Sequence, residues 1–176
     1  MQIQSQTFTV SEAAQASGAS TDSIKNWTKQ GVMVGRKEIG GGGSAGRKRT
    51  YTFNSVMEIA VANALLTPEI VGMKSVPYAF HAAGQFAHFG SDIQFPGIPH
   101  HHNNGETYLF VSGKAVEVAL VKTGEIPSPF HDRSQKPIGY VAINVTRLFL
   151  SVCQNIPDCP DGRVVLDEIY PEAATA

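Results

Sequence analysis

The first thirty residues carry two short helical patterns separated by a glycine-containing turn. Alanine dominates residues 13–16, and Ser11 just before them is a residue type that caps helix N-termini. Gly18 is expected to end this first helix, because glycine readily adopts the left-handed conformation that follows many helix C-termini. The pattern therefore predicts a helix over residues 11–17 and a turn at residues 18–20.

The second helical pattern starts at Ser20 or Thr21 and ends near Gly31. Ile24 and Trp27 are three residues apart, so both side chains face inward in a helix. The outward face is polar and carries Asp22, Lys25, Asn26 and Lys29. Two short helices joined by a turn of about three residues form a helix-turn-helix unit.

Residues 32–53 change from helical to strand-like patterning. Residues 32–34 are expected to start a strand, and residues 47–53 alternate enough to form a returning strand. The run between them is rich in glycine from residue 40 to residue 46. The pattern predicts a β-hairpin with a glycine-rich tip and a basic return strand, which beside a helix-turn-helix is expected to be a wing.

Two more helices are expected before the middle of the chain. Asn54 or Ser55 is expected to cap a helix over residues 56–66, which carries an apolar stripe. Another helix is expected from residue 74 or 76 to residue 89, with Pro77 tolerated in its first turn.

The second half of the chain has a different, β-rich pattern. A stretch rich in proline, histidine and asparagine at residues 91–104 is expected to be a loop. Asn144 is expected to cap an amphipathic helix over residues 145–153. The predicted strands of this half cover residues 107–112, 115–122, 138–143 and 164–169.

These elements predict an α+β protein in three parts. Residues 1–90 are expected to form a winged helix-turn-helix with following helices, and residues 91–104 a linker. Residues 105–176 are expected to form a mixed β/α domain that serves dimerisation or ligand response. The last assignment is made by elimination, because no functional motif is evident there.

Charge is distributed unevenly along the chain. The total is −1, but residues 1–66 carry seven Lys or Arg against four Asp or Glu, a charge of +3. Residues 67–176 carry seven basic against eleven acidic residues, a charge of −4. A polyanionic partner is therefore expected for the first part only.

Targeting and redox signals point to a soluble protein. The N-terminus lacks a basic region followed by an apolar run, and no stretch of 18 apolar residues occurs. Two cysteines are too few for a disulfide-scaffolded secreted domain. We expect a cytoplasmic protein that has no membrane partner.

The order of elements near the N-terminus resembles the winged DNA-binding domain of MerR-type regulators. A basic residue and an aromatic pair are usual in the second helix of that family, and here Lys25 and Trp27 take two of these positions while Asn26 replaces the first aromatic. The Arg-x-Tyr that follows the wing is retained as Arg49 and Tyr51. The matching segments are residues 9–14, 18–20, 23–27, 31–33 and 49–51.

The resemblance covers residues 6–66 and ends in the second half of the chain. MerR-type proteins end in a long dimerising helix, whereas residues 92–176 show strand patterns, prolines and glycines. The same N-terminal segment also looks like the DNA-binding end of phage terminase small subunits and excisionases. The resemblance implies a winged fold that binds double-stranded DNA, but the effector sensing of the family is not carried over to this chain.

An α-helix fits the major groove, whose base edges present distinguishable hydrogen-bonding patterns. Asn26 is suited to adenine, and the lysines of the second helix to guanine or phosphate. The basic wing, residues 36–49, is expected to follow the DNA backbone. The predicted DNA-binding residues are Thr21, Ser23, Lys25, Asn26, Lys29, Arg36, Lys37, Arg47, Lys48, Arg49 and Tyr51.

Other candidate chemistry is weaker. Histidines at 100–102 are adjacent in sequence and so rarely converge on one metal ion. Cys153 and Cys159 are expected to be two free thiols, with a metal or redox pair as the alternative. No nucleophile, base and orienting acid can be assembled, and no phosphate-binding loop is present, so neither an enzyme nor a cofactor is expected.

The predicted function is sequence-specific DNA binding by a homodimeric transcriptional regulator, since palindromic recognition by dimers is common in this class. One alternative is a phage or mobile-element protein, a terminase small subunit or an excisionase. Another is a protein-interaction module whose winged fold docks a partner instead of DNA.

Overall fold

In a computed structural model, the structure describes residues 3–42, 47–67, 75–89, 95–100, 105–130 and 137–171. Over these residues the chain forms six α-helices and two small antiparallel sheets. The predicted α+β class is therefore confirmed. Among the described helices, none is both long enough and apolar enough to span a membrane.

Helix α1 (Val10–Ser17) begins one residue after Thr9, not at Ser11 as predicted. The hydroxyl of Thr9 accepts a hydrogen bond from the backbone N–H of Glu12, and the Glu12 carboxylate accepts one from the backbone N–H of Thr9. This reciprocal capping box satisfies two backbone donors, which explains why Thr9 prevails over Ser11. Gly18 ends the helix with φ of 72°, as predicted.

The strand predicted to start at residues 32–34, just after helix α2 (Thr21–Gln30), is not formed. Val34–Glu38 is a short 3-10 helix, and Met33 is buried. The backbone N–H groups of Val34 and Gly35 donate to the carboxyl group of Glu58. The backbone N–H of Val32 donates to the Trp27 carbonyl oxygen and that of Val34 to Glu58, so these two donors are not available for strand pairing.

Strand β1 (Thr7–Thr9) pairs antiparallel with β2 (Thr50–Thr52), with Phe8 opposite Tyr51. The predicted return strand therefore pairs mainly with the segment before α1. Within the described residues, the two sides of the predicted hairpin are joined by a hydrogen bond from the Gly42 N–H to the Arg47 carbonyl oxygen at 3.3 Å and by one bridge, Gly40 to Thr50. Its N–H···O distances are both 3.0 Å. Residues 43–46, the predicted tip, lie outside the described residues.

Helices α3 (Phe53–Leu65) and α4 (Val76–His88) pack against each other. Helix α3 starts three residues earlier than predicted, because the Thr52 hydroxyl accepts from the backbone N–H of Ser55 and caps it. It is buried along most of its length, which places it at the centre of the fold. Pro77 lies in the first turn of α4, as predicted.

The second sheet has the strand order β4-β3-β5, formed by β3 (Gly105–Ser112), β4 (Ala115–Lys122) and β5 (Val141–Asn144). Strands β3 and β4 match the predicted strands, and the turn between them contains Gly113 with φ of 59°. The strand predicted at residues 138–143 is displaced toward the C-terminus. Helix α5 (Val145–Asn155) follows directly, and Asn144 caps it as predicted.

Helix α6 (Gly162–Ile169) stands where the sequence predicted a strand over residues 164–169. The Asp161 carboxylate accepts from the backbone N–H of Arg163 at 2.7 Å, which caps the helix. Val165 and Leu166 are buried, and they share the face that packs on α5. An apolar run this short fits either period, and the cap together with the contact to α5 selects the helix.

A single hydrophobic core extends through both halves of the chain. Phe53 of α3 meets Phe149 of α5 edge-to-face, with ring centroids 5.9 Å apart. Ile98, in the stretch predicted to be a linker, is fully buried in the same core. Of that stretch, residues 91–94 and 101–104 lie outside the described residues. The three-part domain division stays a prediction.

Candidate nucleic-acid interface

Helix α2 presents a polar face to solvent because its two apolar side chains are held inside. Ile24 is fully buried, and Trp27 packs edge-to-face on Phe80 of α4 with centroids 5.2 Å apart. Lys25 and Asn26 lie between these two anchors in sequence and are exposed. The orientation of the outward face is therefore set by packing on the opposite side of the helix.

Both ends of α2 are well defined. The Ser20 hydroxyl accepts from the backbone N–H of Ser23 at 3.0 Å, and Gly31 ends the helix with φ of 68°. Thr21 and Ser23 lie half-buried in the first turn, while Lys29 is exposed in the last. The exposed face thus extends over the full length of the helix.

Tyr51 differs from the other predicted DNA-binding residues, because only 1% of it is exposed. Its hydroxyl lies 3.1 Å from the Thr28 hydroxyl on the inner side of α2. The Thr28 hydroxyl also donates to the Ile24 carbonyl oxygen at 2.8 Å. Strand β2 is therefore linked to the inner side of α2 by a side-chain hydrogen bond.

The cationic side chains of the basic segment 36–49 are exposed. Arg36 and Lys37 lie on the 3-10 helix, and residues 47–49 lead into β2. Gly41 has φ of 71°, and a Cβ there would lie 2.1 Å from the Lys48 carbonyl oxygen. This close approach of two backbones requires glycine and keeps the two sides of the segment together.

Ion pairs among the described residues involve few of these cations. Lys25 lies 3.5 Å from Asp22, and both side chains are well exposed. Within the described part of the chain this is the only ion pair made by the basic residues of the first 66 positions. The cations of these positions that form no ion pair with a described residue are Lys29, Arg36, Lys37, Arg47, Lys48 and Arg49.

A cavity of about 210 Å³ brings α2 and the basic segment together. Lys25 borders it from α2, while Lys48 and Arg49 border it from the chain that enters β2. Thr9, Val10 and Tyr51 complete its lining. Three cations from two separate elements thus surround one depression on the surface.

A buried polar network, which was not predicted from the sequence, lies beneath the basic segment. Glu58, fully buried in α3, accepts from the backbone N–H of Val34 at 2.5 Å and of Gly35 at 3.2 Å. His88 of α4 lies between Glu58 and Glu38, with distances of 2.9 and 3.1 Å to their carboxyl oxygens. The signal in the sequence was the one acidic residue in the otherwise apolar run of α3.

The other candidate residues are the cysteine pair, whose two thiols contact each other, and the histidines at 100–102. Cys153 and Cys159 are free thiols, and burial raises the pKa of both. The His100 ring is tilted against the Tyr170 ring, with centroids 4.7 Å apart, while residues 101 and 102 lie outside the described residues. Among the described residues, no group of three or more His, Cys, Asp or Glu side chains is placed to hold a metal ion.

Comparison with known proteins adds no assignment. No family model matches the chain, and no curated protein matches it.

Proposed function

We propose that residues 7–65 form a winged helix-turn-helix that binds double-stranded DNA, and that the protein is a sequence-specific DNA-binding regulator. The observation that carries this proposal is the shared cavity, at which Lys25 of α2 meets Lys48 and Arg49. One rigid surface can then engage a base-bearing groove and the adjacent phosphates together. The resemblance to MerR-type regulators supports the same assignment.

Helix α2 is the element proposed to enter the major groove. Asn26 is exposed on its outward face and has the paired donor and acceptor that match adenine. Lys25 and Lys29 reach guanine or phosphate from the same face. Thr21 and Ser23 lie in the first turn, where hydroxyls and backbone N–H groups favour a phosphate.

The basic segment 36–49 is proposed to bind the backbone beside that groove. Arg36 and Lys37 would contact phosphates from the 3-10 helix, and residues 47–49 from the other side of the cavity. Tyr51 has a supporting role, because its buried hydroxyl is bonded to Thr28. It holds α2 and β2 together beside the cavity that it helps to line.

A homodimer on a two-fold symmetric site completes the proposal, since such dimers are the common arrangement for helix-turn-helix regulators. The second half of the chain is then the proposed dimerisation or ligand-response part. A phage or mobile-element role would use the same DNA contacts, and it would be distinguished by binding to several clustered sites.

The decisive experiment measures affinity for duplex DNA against salt concentration, by fluorescence anisotropy. Five to seven phosphate contacts predict a log–log slope of roughly −5 to −6. Lys48→Ala should reduce the magnitude of this slope by about 0.9, the value of one contact. Lys114→Ala is the matched control, because Lys114 is exposed in the turn between β3 and β4, outside the proposed interface.

Two results would overturn the proposal. One is the absence of duplex binding at low salt, and the other is an equal change in slope for Lys48→Ala and Lys114→Ala. Capture of a protein partner that persists at high salt, together with no duplex binding, would favour the protein-interaction alternative.

A further inference from the structure

A second cavity, of about 440 Å³, lies in the other half of the chain, where β3 begins and β4 ends. The first turn of α5 and the side of α6 form its other walls. This volume falls in the range of pockets that hold small molecules. None of the proposed DNA-binding residues lines this cavity.

One pair of opposite charges in this cavity is already compensated. The Arg147 guanidinium donates to Glu106 at 3.0 Å, and the Asn144 amide donates to the other Glu106 oxygen at 2.7 Å. The hydrogen bond from Arg147 holds the pKa of Glu106 below its usual value. Glu106 and Arg147 therefore form part of the cavity wall, and their opposite charges neutralise each other.

The remaining charged side chains leave a positive excess. Lys122 and Arg163 line the cavity together with Glu125, and none of the three forms an ion pair with any described residue. With histidine counted as neutral, the cavity carries an excess of one positive charge. One negative charge on a ligand would balance it, whereas a dianion would be undercompensated.

Hydroxyl and apolar groups complete the lining. The Thr146 hydroxyl accepts from the backbone N–H of Thr107 at 2.8 Å, so its own proton is available to a ligand acceptor. Val121, Leu150 and Leu166 provide an apolar wall. A ligand that fits has one acidic group for the cations and a compact apolar body for this wall.

We propose that this cavity binds a small organic monocarboxylate. The carboxylate lies between Lys122 and Arg163, where the planar guanidinium of Arg163 offers two parallel donors. The apolar part of the ligand packs on Leu150 and Leu166. This proposal does not depend on DNA binding, because it concerns other residues and is tested without DNA.

The test uses benzoate and cyclohexanecarboxylate as probes, with benzamide as the neutral counterpart of benzoate. Binding is followed by isothermal titration and by NMR shifts of the backbone amides of Thr123 and Gly124, both at the cavity rim. At least one carboxylate should give saturable shifts below about 10 mM, and benzamide should bind at least about tenfold more weakly.

Arg163→Gln and Lys122→Gln should each weaken carboxylate binding by about tenfold or more, because each removes a charge-assisted contact. Both side chains are exposed and make no side-chain hydrogen bond or ion pair with any described residue, so the variants are expected to fold. Lys114→Gln is the control with the same loss of charge away from the cavity.

The proposal is overturned by any of three results. These are no saturable shift with either carboxylate, equal binding of benzamide and benzoate, or equal weakening by Lys114→Gln and Arg163→Gln. Tighter binding of inorganic phosphate than of both carboxylates would also contradict it, since the charge balance favours a monoanion.

Discussion

The imidazole Nε2 of His88 lies 2.9 Å from Oε2 of Glu58, and this contact joins the last residue of α4 to the middle of α3. The other ring nitrogen lies 3.1 Å from a Glu38 oxygen. Both nitrogens donate only when the ring is protonated, so the geometry favours the imidazolium form. The same Glu58 holds the start of the 3-10 helix, and the network therefore supports the base of the basic segment 36–49.

The first prediction concerns pH. Burial by itself would lower the pKa of His88, but the hydrogen bonds and negative charges of Glu58 and Glu38 outweigh burial and raise it above 6.5. The protonated ring thus stabilises the fold fully below the unfolded-state pKa, and this contribution is lost as the pH rises through the folded-state pKa. The difference in unfolding free energy between wild type and His88→Gln should shrink as the pH rises.

Urea unfolding at a series of pH values from about 5.5 to about 8.5 measures this difference. His81→Gln is the control, because it makes the same substitution at an exposed position of the same helix. Parallel curves for wild type and His88→Gln would contradict the assigned network.

The second prediction concerns the close approach of α4 to the 3-10 helix. A Cβ at Gly84 would lie 2.4 Å from Cγ2 and 2.7 Å from Cβ of Val34. Gly84→Ala should therefore lower the unfolding free energy by about 1–3 kcal/mol, because the two elements must move apart. Gly139→Ala is the control, since a Cβ there meets nothing within 4 Å. Equal denaturation midpoints for the two variants would contradict this packing.

The third prediction concerns base recognition by α2. If the proposed interface is correct, Asn26→Ala should relax preference at one base pair and cost about 1–3 kcal/mol there. The measurement is selection from random duplexes, read by sequencing. Asn155→Ala, at the exposed end of α5, should leave the selected sequence unchanged. A uniform loss of affinity for all sequences from Asn26→Ala would contradict its assignment to a base edge.

The fourth prediction separates a supporting residue from a contacting one. Tyr51→Phe removes a hydroxyl that lies 3.1 Å from that of Thr28, and should lower the unfolding free energy by about 1 kcal/mol. The affinity of the folded variant for DNA should stay within about threefold of wild type, since Tyr51 is buried.

A double-mutant cycle of Tyr51→Phe with Thr28→Val isolates the interaction between the two hydroxyls. Non-additive losses of stability are expected. A large loss of DNA affinity with unchanged stability would instead indicate direct contact between Tyr51 and DNA.

Several helices and strands could be predicted from patterns among residues that are close together in the sequence. The sequence alone determined α2, with Ile24 and Trp27 inward and Gly31 at its end, because helical spacing and caps act within one or two turns. It also determined strands β3 and β4 and the cap of α5 by Asn144, because strand alternation and capping likewise depend on residues that are close together in the chain. The outward placement of Lys25 and Asn26 follows from that spacing.

Tertiary structure decided the features that depend on partners far away in the chain. Strand β2 pairs with β1 and not with residues 32–34, where the backbone N–H of Val34 donates to the Glu58 side chain and that of Val32 to the Trp27 carbonyl oxygen. The pairing of Glu58 with His88 and the two cavities likewise arise from the packing of separate elements. Such contacts leave no periodic trace in the sequence, since hydrophobic periodicity records which face of an element is buried but not what covers it.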